Sequence, residues 1–143
     1  LQFLLLGDGP RRAELAQAAA ALPNVSLLGH RSDIGNYLAA IDLFVFPSLT
    51  EGMGSSILEA MQAGVVVIAS NAGGIPDLID DGDNGLLVPA GDAGALAAAI
   101  ERLLADDSLR QRLVAAARER LPAFAPDVVA NRYLQLYCRV LAA

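Results

Sequence analysis

The sequence predicts an α/β fold: a parallel sheet of about five strands with helices on both faces. Three observations carry this. Short apolar runs recur at Phe3–Leu6, Val25–Leu28, Leu43–Phe46, Val65–Ala69 and Leu86–Val88. They carry no polar alternation, as expected of strands covered on both sides. Helix-patterned segments lie between them, and Gly, Pro, Asn or Asp punctuates the joins. Crossovers in such a sheet are right-handed, and ligands bind beyond the C-terminal ends of the strands.

Each element follows in order. Phe3–Leu6 closes at Gly7-Asp8-Gly9-Pro10, and Pro10 suits the first turn of an alanine-rich helix over Arg11–Leu22. Pro23-Asn24 breaks that helix, Val25–Leu28 runs to Gly29, and Ser32 or Asp33 caps a helix from Ile34 to Ala40. Pro47 stops the strand Leu43–Phe46. Ser55–Ala63 reads as a helix with Gly64 at its C-terminal cap. The β-branched strand Val65–Ala69 precedes a short helix at Pro76–Ile79, a turn at Asp81–Gly85 and the strand Leu86–Val88. Three helices close the chain. Asp92 caps the first, with Leu96, Ile100, Leu103 and Leu104 as its apolar stripe. Ser108 opens the second, with Leu109, Leu113 and Ala117 in register, and Pro122–Pro126 is a break. Val129, Tyr133, Leu136 and Val140 make the expected buried face of the last, with Cys138 packed near it; the alternative for Tyr133 and Tyr137 is exposure, on a face that would meet a domain outside this chain.

Composition narrows the function. The 143 residues are 55% hydrophobic and 18% charged, too apolar for disorder, and the length fits one domain over 1–143. One cysteine, Cys138, and one histidine, His30, exclude a disulfide scaffold and any multi-histidine or cysteine-rich metal site. A net charge of −6 argues against a nucleic-acid partner. All ten positive charges are arginine, so a lysine nucleophile or lysine phosphate clamp is absent from this chain. No apolar run approaches the roughly 18–20 residues of a membrane span, and LQFLLLGDGP has no basic leader. A cytoplasmic location is expected.

The densest unusual residues are PSLTEGMGSSILEAMQAG at 47–64. Gly52 and Gly54 let the backbone turn sharply after a strand. Ser55 and Ser56 stand where a helix begins, and free amides there favour an anion such as a diphosphate. Glu59 is four residues beyond Ser55, on the same helix side, where a carboxylate can accept from a vicinal diol such as ribose. Glu51 flanks the anion position on the other side, where a sugar would lie. A nucleotide sugar has this layout: ribose, diphosphate, sugar. The plainer alternative is an exposed helix acid at Glu59 and a solvated loop acid at Glu51.

Glu51 and Glu59, with seven residues between them, match the paired-glutamate motif of retaining GT-B glycosyltransferases. LLLGDGP, LLGHRSDIGNYLAAIDLFVFPSLTEGMGSSILEAMQAG, SNAGGIPDLIDDGDNGLLVP and YLQLY resemble the C-terminal, Rossmann-like donor-binding domain of the glycosyl transferases group 1 family. The resemblance covers nearly the whole chain. It implies metal-independent, cofactor-free sugar transfer from a nucleoside-diphosphate sugar, with retention. By it, Glu51 is the catalytic-centre residue that contacts the donor sugar. The Gly52, Met53 and Gly54 backbone lies beside that sugar. Gly54, Ser55, Ser56 and Ile57 hold the diphosphate and flank the nucleotide, Glu59 holds the ribose, and Gly29, His30 and Arg31 lie against the base. Many members build surface polysaccharide on lipid carriers, which would place the intact protein at the inner face of the membrane, although no residue here demonstrates a membrane contact.

Departures from the family pattern are few. Val66 stands where proline is frequent, and Asp77 where glutamate is common. The resemblance also implies that a first strand and helix, bearing an arginine and a lysine for the diphosphate, and an N-terminal acceptor-binding domain, lie outside this chain. By itself the chain is then expected to be inactive. Without that strand, Phe3–Leu6 would close on Leu43–Phe46 in the order 2-1-3-4-5, or an element would be exchanged between two chains. A nucleotide-sugar 2-epimerase and a non-catalytic binding module are the rival functions.

Other motifs read as structure. Gly7-Asp8-Gly9-Pro10 lacks a third glycine for a dinucleotide loop, and Arg11 and Arg12 read as solvated. His30 reads as a loop residue rather than a base. Asp80–Asp83 lacks EF-hand spacing. Gly73-Gly74 is either a turn needing positive φ or a tight loop carrying amides toward the sugar.

Overall fold

All five expected strands form and every strand pairing is parallel, but they build two sheets rather than one. The computed structural model describes residues 1–142, and the chain divides into two units, Leu1–Tyr37 and Leu38–Ala143.

In the first unit, β1 (Phe3–Leu6) pairs with β2 (Val25–Gly29), Phe3 opposite Val25, with a register slip before Leu6 meets Gly29. Helix α1 (Arg12–Ala19) joins them. It ends short of the expected Leu22, because the residue before Pro23 is pushed out of the α region; the chain instead turns with Leu22 N–H donating to Ala19 O at 2.9 Å. Arg11 and Arg12 are exposed but pair at the surface with Glu14 and Asp8. Helix α2 (Ile34–Leu38) is also shorter than expected, ending before Ala39-Ala40.

β1 is not the buried strand expected. Leu4, Leu5 and Leu6 are 42%, 37% and 36% exposed. A two-stranded sheet with one eight-residue helix has too little apolar cover to bury both faces. The strand orders among the described residues are β1-β2 and β3-β4-β5, in place of the expected 2-1-3-4-5. Each strand pair arises from its own local crossover.

In the second unit, β4 (Val66–Asn71) lies between β3 (Leu43–Phe46) and β5 (Leu86–Pro89), with Leu43 opposite Val66 and Ile68 opposite Leu86. Helices α3 (Ser55–Ala63), α4 (Ala93–Ala105), α5 (Asp107–Arg120) and α6 (Pro126–Leu141) follow in chain order, with 3-10 turns at Ile75–Asp77 and Leu121–Phe124. Val66 and Ile68 pack with Leu86, Val88, Leu103, Leu109 and Leu113. Val67 and Ala69, pointing the other way, are buried as well, so β4 is covered on both faces.

Asp92 caps α4 as expected, its Oδ1 accepting from Ala95 N–H at 2.9 Å. Helix α5 is capped by Asp106, not Ser108. The extended backbone at Asp106 places its Oδ1 to accept from Leu109 N–H at 2.9 Å, and Ser108 Oγ donates to the same oxygen at 2.7 Å. These bonds, the Leu109 amide first, hold the Asp106 carboxyl below its ordinary range. A carboxylate depressed on folding stabilises above its unfolded pKa, and that contribution is lost as pH falls through the folded value. Asp106→Ala is therefore expected to lower Tm at neutral pH. The gap from the parent should close on acidification below about pH 4, as thermal scans across pH would show.

Helix α6 departs most from expectation. It has no buried residue; Tyr133, Leu136 and Val140 are 55%, 46% and 66% exposed, and Cys138 is exposed. On α4, Leu104 is likewise exposed while Leu103 is fully buried. A 3.6-residue period identifies which face of a helix is apolar, not whether another element covers it. At its start α6 shares an apolar groove, lined by Met53, Leu58, Phe124, Pro126, Val129 and Tyr133.

The acidic turn after the 3-10 helix is structural. Buried Asn84 accepts from Asp80 N–H at 2.8 Å and donates to Leu78 O at 3.0 Å, while Asp81 Oδ1 accepts from Leu87 N–H at 2.9 Å. Among the described residues no group of three His, Cys, Asp or Glu could hold a metal ion.

Candidate functional site

The second unit builds its site where β3 ends. Pro47 stops the strand, and the chain loops through Glu51-Gly52-Met53 to Gly54, which precedes α3. Gly54 has φ +75°, in the left-handed region that favours glycine. A Cβ there would also lie 3.1 Å from Ile57 Cδ1 and 3.5 Å from Phe46 Cε1. Glycine is thus needed both for the turn and for its close seat on the core.

No side chain caps α3. Ile57 N–H donates back to Gly54 O at 2.9 Å, leaving the Ser55 and Ser56 amides at the open end of the helix. Ser55 is exposed and Ser56 half-buried. The helix dipole adds to the positive potential of these amides, so the position suits an anion without any cationic side chain. Ile57, expected beside the nucleotide, is fully buried in the core.

Two carboxylates flank this end. Glu51 is half-buried, and its Oε1 accepts from the Gly52 N–H at 3.0 Å. Glu59 is exposed on α3, one turn beyond Ser55. Neither takes part in a salt bridge among the described residues. Gly52 and Met53 are exposed. The neighbouring groove is almost wholly apolar and offers nothing to a sugar or phosphate.

Gly29, His30 and Arg31 belong to the first unit, at the end of β2. Gly29 is buried at φ +70°, and a Cβ there would meet the Arg12 guanidinium at 3.0 Å; His30 and Arg31 are exposed.

Of the two readings of Gly73-Gly74, the structure shows the positive-φ turn. Gly73 has φ +54° and makes the turn after β4. The Gly74 N–H also donates to Glu51 O at 3.3 Å. A Cβ on Gly73 would collide with Glu51 O, and one on Gly74 with Gly52 O. The backbones of the two loops therefore cross in contact, which only glycine allows. The paired glycines were the visible signal; their partner across the site was not. Arg120 of α5 is a further residue that spacing did not suggest. Its Nη2 donates to Asp77 O at 2.9 Å and its Nη1 to the Asp80 carboxylate.

Comparison with known proteins places this fold in a family. Residues 1–106 match the family model described as glycosyl transferases group 1, and the chain belongs to that family. It is 40% identical over 136 residues to the lipopolysaccharide core biosynthesis glycosyltransferase LpsE of Rhizobium meliloti, covering 92% of this chain and 40% of that protein. Among solved structures it resembles sucrose-phosphate synthase of Thermosynechococcus elongatus, with a TM-score of 0.82 and 35% identity, over 99% of this chain and 39% of that one. It resembles HepE of Anabaena, solved with UDP, equally well, with a TM-score of 0.82 and 30% identity over 99% of this chain and 41% of that one. HepE has also been solved with UDP-glucose. The parallel sheets flanked by helices are those of GT-B glycosyltransferases. The chain spans about 40% of the length of these relatives.

Proposed function

We propose that this chain forms the donor-binding part of a glycosyltransferase that moves a sugar from a nucleoside-diphosphate sugar to an acceptor hydroxyl with retention. The observation that carries the reading is the uncapped N-terminus of α3, turned by Gly54 and flanked by two carboxylates that take no salt-bridge partner among the described residues. On this reading the Ser55 and Ser56 amides hold the diphosphate, Glu59 accepts from the ribose hydroxyls, and Glu51 orients the sugar. The UDP and UDP-glucose complexes of HepE support a nucleotide-sugar donor.

In the reaction, the bond from the anomeric carbon to the diphosphate breaks as the acceptor oxygen attacks from the same face. The acceptor proton passes to the departing phosphate oxygen. Charge grows on that phosphate, and the α3 amides and dipole stabilise it without reorganising. No metal or cofactor is invoked. On this reading, donor binding is the activity that these residues are expected to show. No helix among the described residues is long and apolar enough to cross a membrane.

The test is titration calorimetry of the folded chain with uridine, guanosine and adenosine diphosphates. Heat with at least one is expected, and the preferred base would name the donor class. No heat with any of the three, from a sample shown to be folded, would overturn the donor-site reading.

A further inference from the structure

Glu51 is held through its backbone as well as its side chain, and the backbone contact leads across the unit to α5. The Gly74 N–H meets Glu51 O at 3.3 Å, and neither Gly73 nor Gly74 can carry a Cβ without striking the carbonyls of residues 51 and 52. The segment bearing these glycines has little room to retreat. Ile75 is fully buried, and Asp77 N–H donates to Gly74 O at 3.2 Å, closing the 3-10 turn directly behind the glycines. Arg120 ties the end of that turn, its two terminal nitrogens shared between Asp77 O and the Asp80 carboxylate. The guanidinium also lies 6.0 Å from the Phe124 ring centroid, which limits its own movement.

The loop it meets is the compliant side of the contact. Gly52 and Met53 are exposed, and a Cβ on Gly52 would meet nothing within 4 Å. A push from the glycines is thus taken up by the Glu51–Gly54 turn rather than by the core.

We propose that Gly74, braced from α5 by Arg120, is a positioning residue for the Glu51–Gly54 turn, setting where the Glu51 carboxylate and the open α3 amides stand relative to a bound donor. This rests on the donor-site reading above. Gly74 and Arg120 touch no reacting group; they act through the Glu51–Gly52 backbone.

The test compares Gly74→Ala and Arg120→Lys with the parent chain by thermal unfolding, by amide NMR shifts, and by calorimetry with the nucleoside diphosphate that binds best. Gly74→Ala is expected to stay folded, to shift the amide signals of Gly52, Met53, Gly54 and Ser55, and to weaken binding by about tenfold. Arg120→Lys keeps a charge near Asp80 but lacks the planar fork that reaches both acceptors. It is expected to shift the same signals less and to weaken binding by about threefold. Unmoved signals at residues 52–55, or unchanged affinity, in a folded Gly74→Ala chain would overturn the proposal. If Gly74→Ala does not fold, unmoved signals in Arg120→Lys would do so. If the parent chain binds no nucleoside diphosphate, the donor reading fails on its own, while the amide shifts still decide whether Gly74 places the turn.

Discussion

Replacing Glu59 by alanine is expected to abolish measurable binding of nucleoside diphosphates while leaving the fold intact. Glu59 is exposed on α3, and among the described residues no hydrogen bond or salt bridge ties its side chain to the chain. Its loss removes nothing that holds the structure, and alanine is the better helix former. On the proposed reading its two oxygens accept from both ribose hydroxyls. Hydrogen bonds to a charged group are the strong kind, so losing two at once is expected to cost about 10²–10⁴ in affinity. Calorimetry reads the affinity, and a thermal scan confirms an unchanged Tm. Undiminished binding by Glu59→Ala would remove Glu59 from the ribose site and leave it as a solvated helix acid.

The largest expected effect on stability lies elsewhere in the second unit. Leu113 of α5 is completely buried, packed in one cluster with Val66, Ile68, Leu103 and Leu109. Leu113→Ala leaves a cavity among close-packed neighbours and is expected to cost about 2–5 kcal/mol. Leu136→Ala on α6 removes the same atoms from a side chain that is 46% exposed, and should change stability by less than about 0.5 kcal/mol. Urea denaturation of the two variants beside the parent makes the comparison. Equal effects would contradict the burial pattern that separates α5 from α6.

That pair also marks how far the sequence could be read. Leu109, Leu113 and Ala117 and the α6 residues Val129, Tyr133, Leu136 and Val140 have the same kind of periodicity, and both sets read as buried faces. One set meets β4; of the other, Val129 is half-buried while Tyr133, Leu136 and Val140 stay exposed. Periodicity is a local property and cover is not, which is why the strands, α3 with Gly64 at its end, and the Asp92 cap were legible while the state of α6 was not. The same limit explains the sheets. Each strand was visible as an apolar run, yet whether β1 joins β3 depends on register between strands far apart in sequence. At the site, Glu51, Gly54, Ser55 and Glu59 stand within nine consecutive positions, so one loop and one helix turn place them together. Gly73-Gly74 and Arg120 converge on that loop only through tertiary contact, and no spacing rule joins residues 51, 74 and 120.

Helix α3 is held at each end by a glycine in the left-handed conformation, Gly54 at φ +75° and Gly64 at φ +78°. These two left-handed turns set where the helix begins and ends. The helix therefore works as a ruler. From Ser55 to Glu59 it advances about 6 Å along its axis and brings the side chain back to within about 40° of the same direction. One residue added between them would swing the carboxylate by a further ~100°, off the face it shares with the open amides. On the proposed reading, the length of the ribose-diphosphate portion of the donor is measured by backbone geometry.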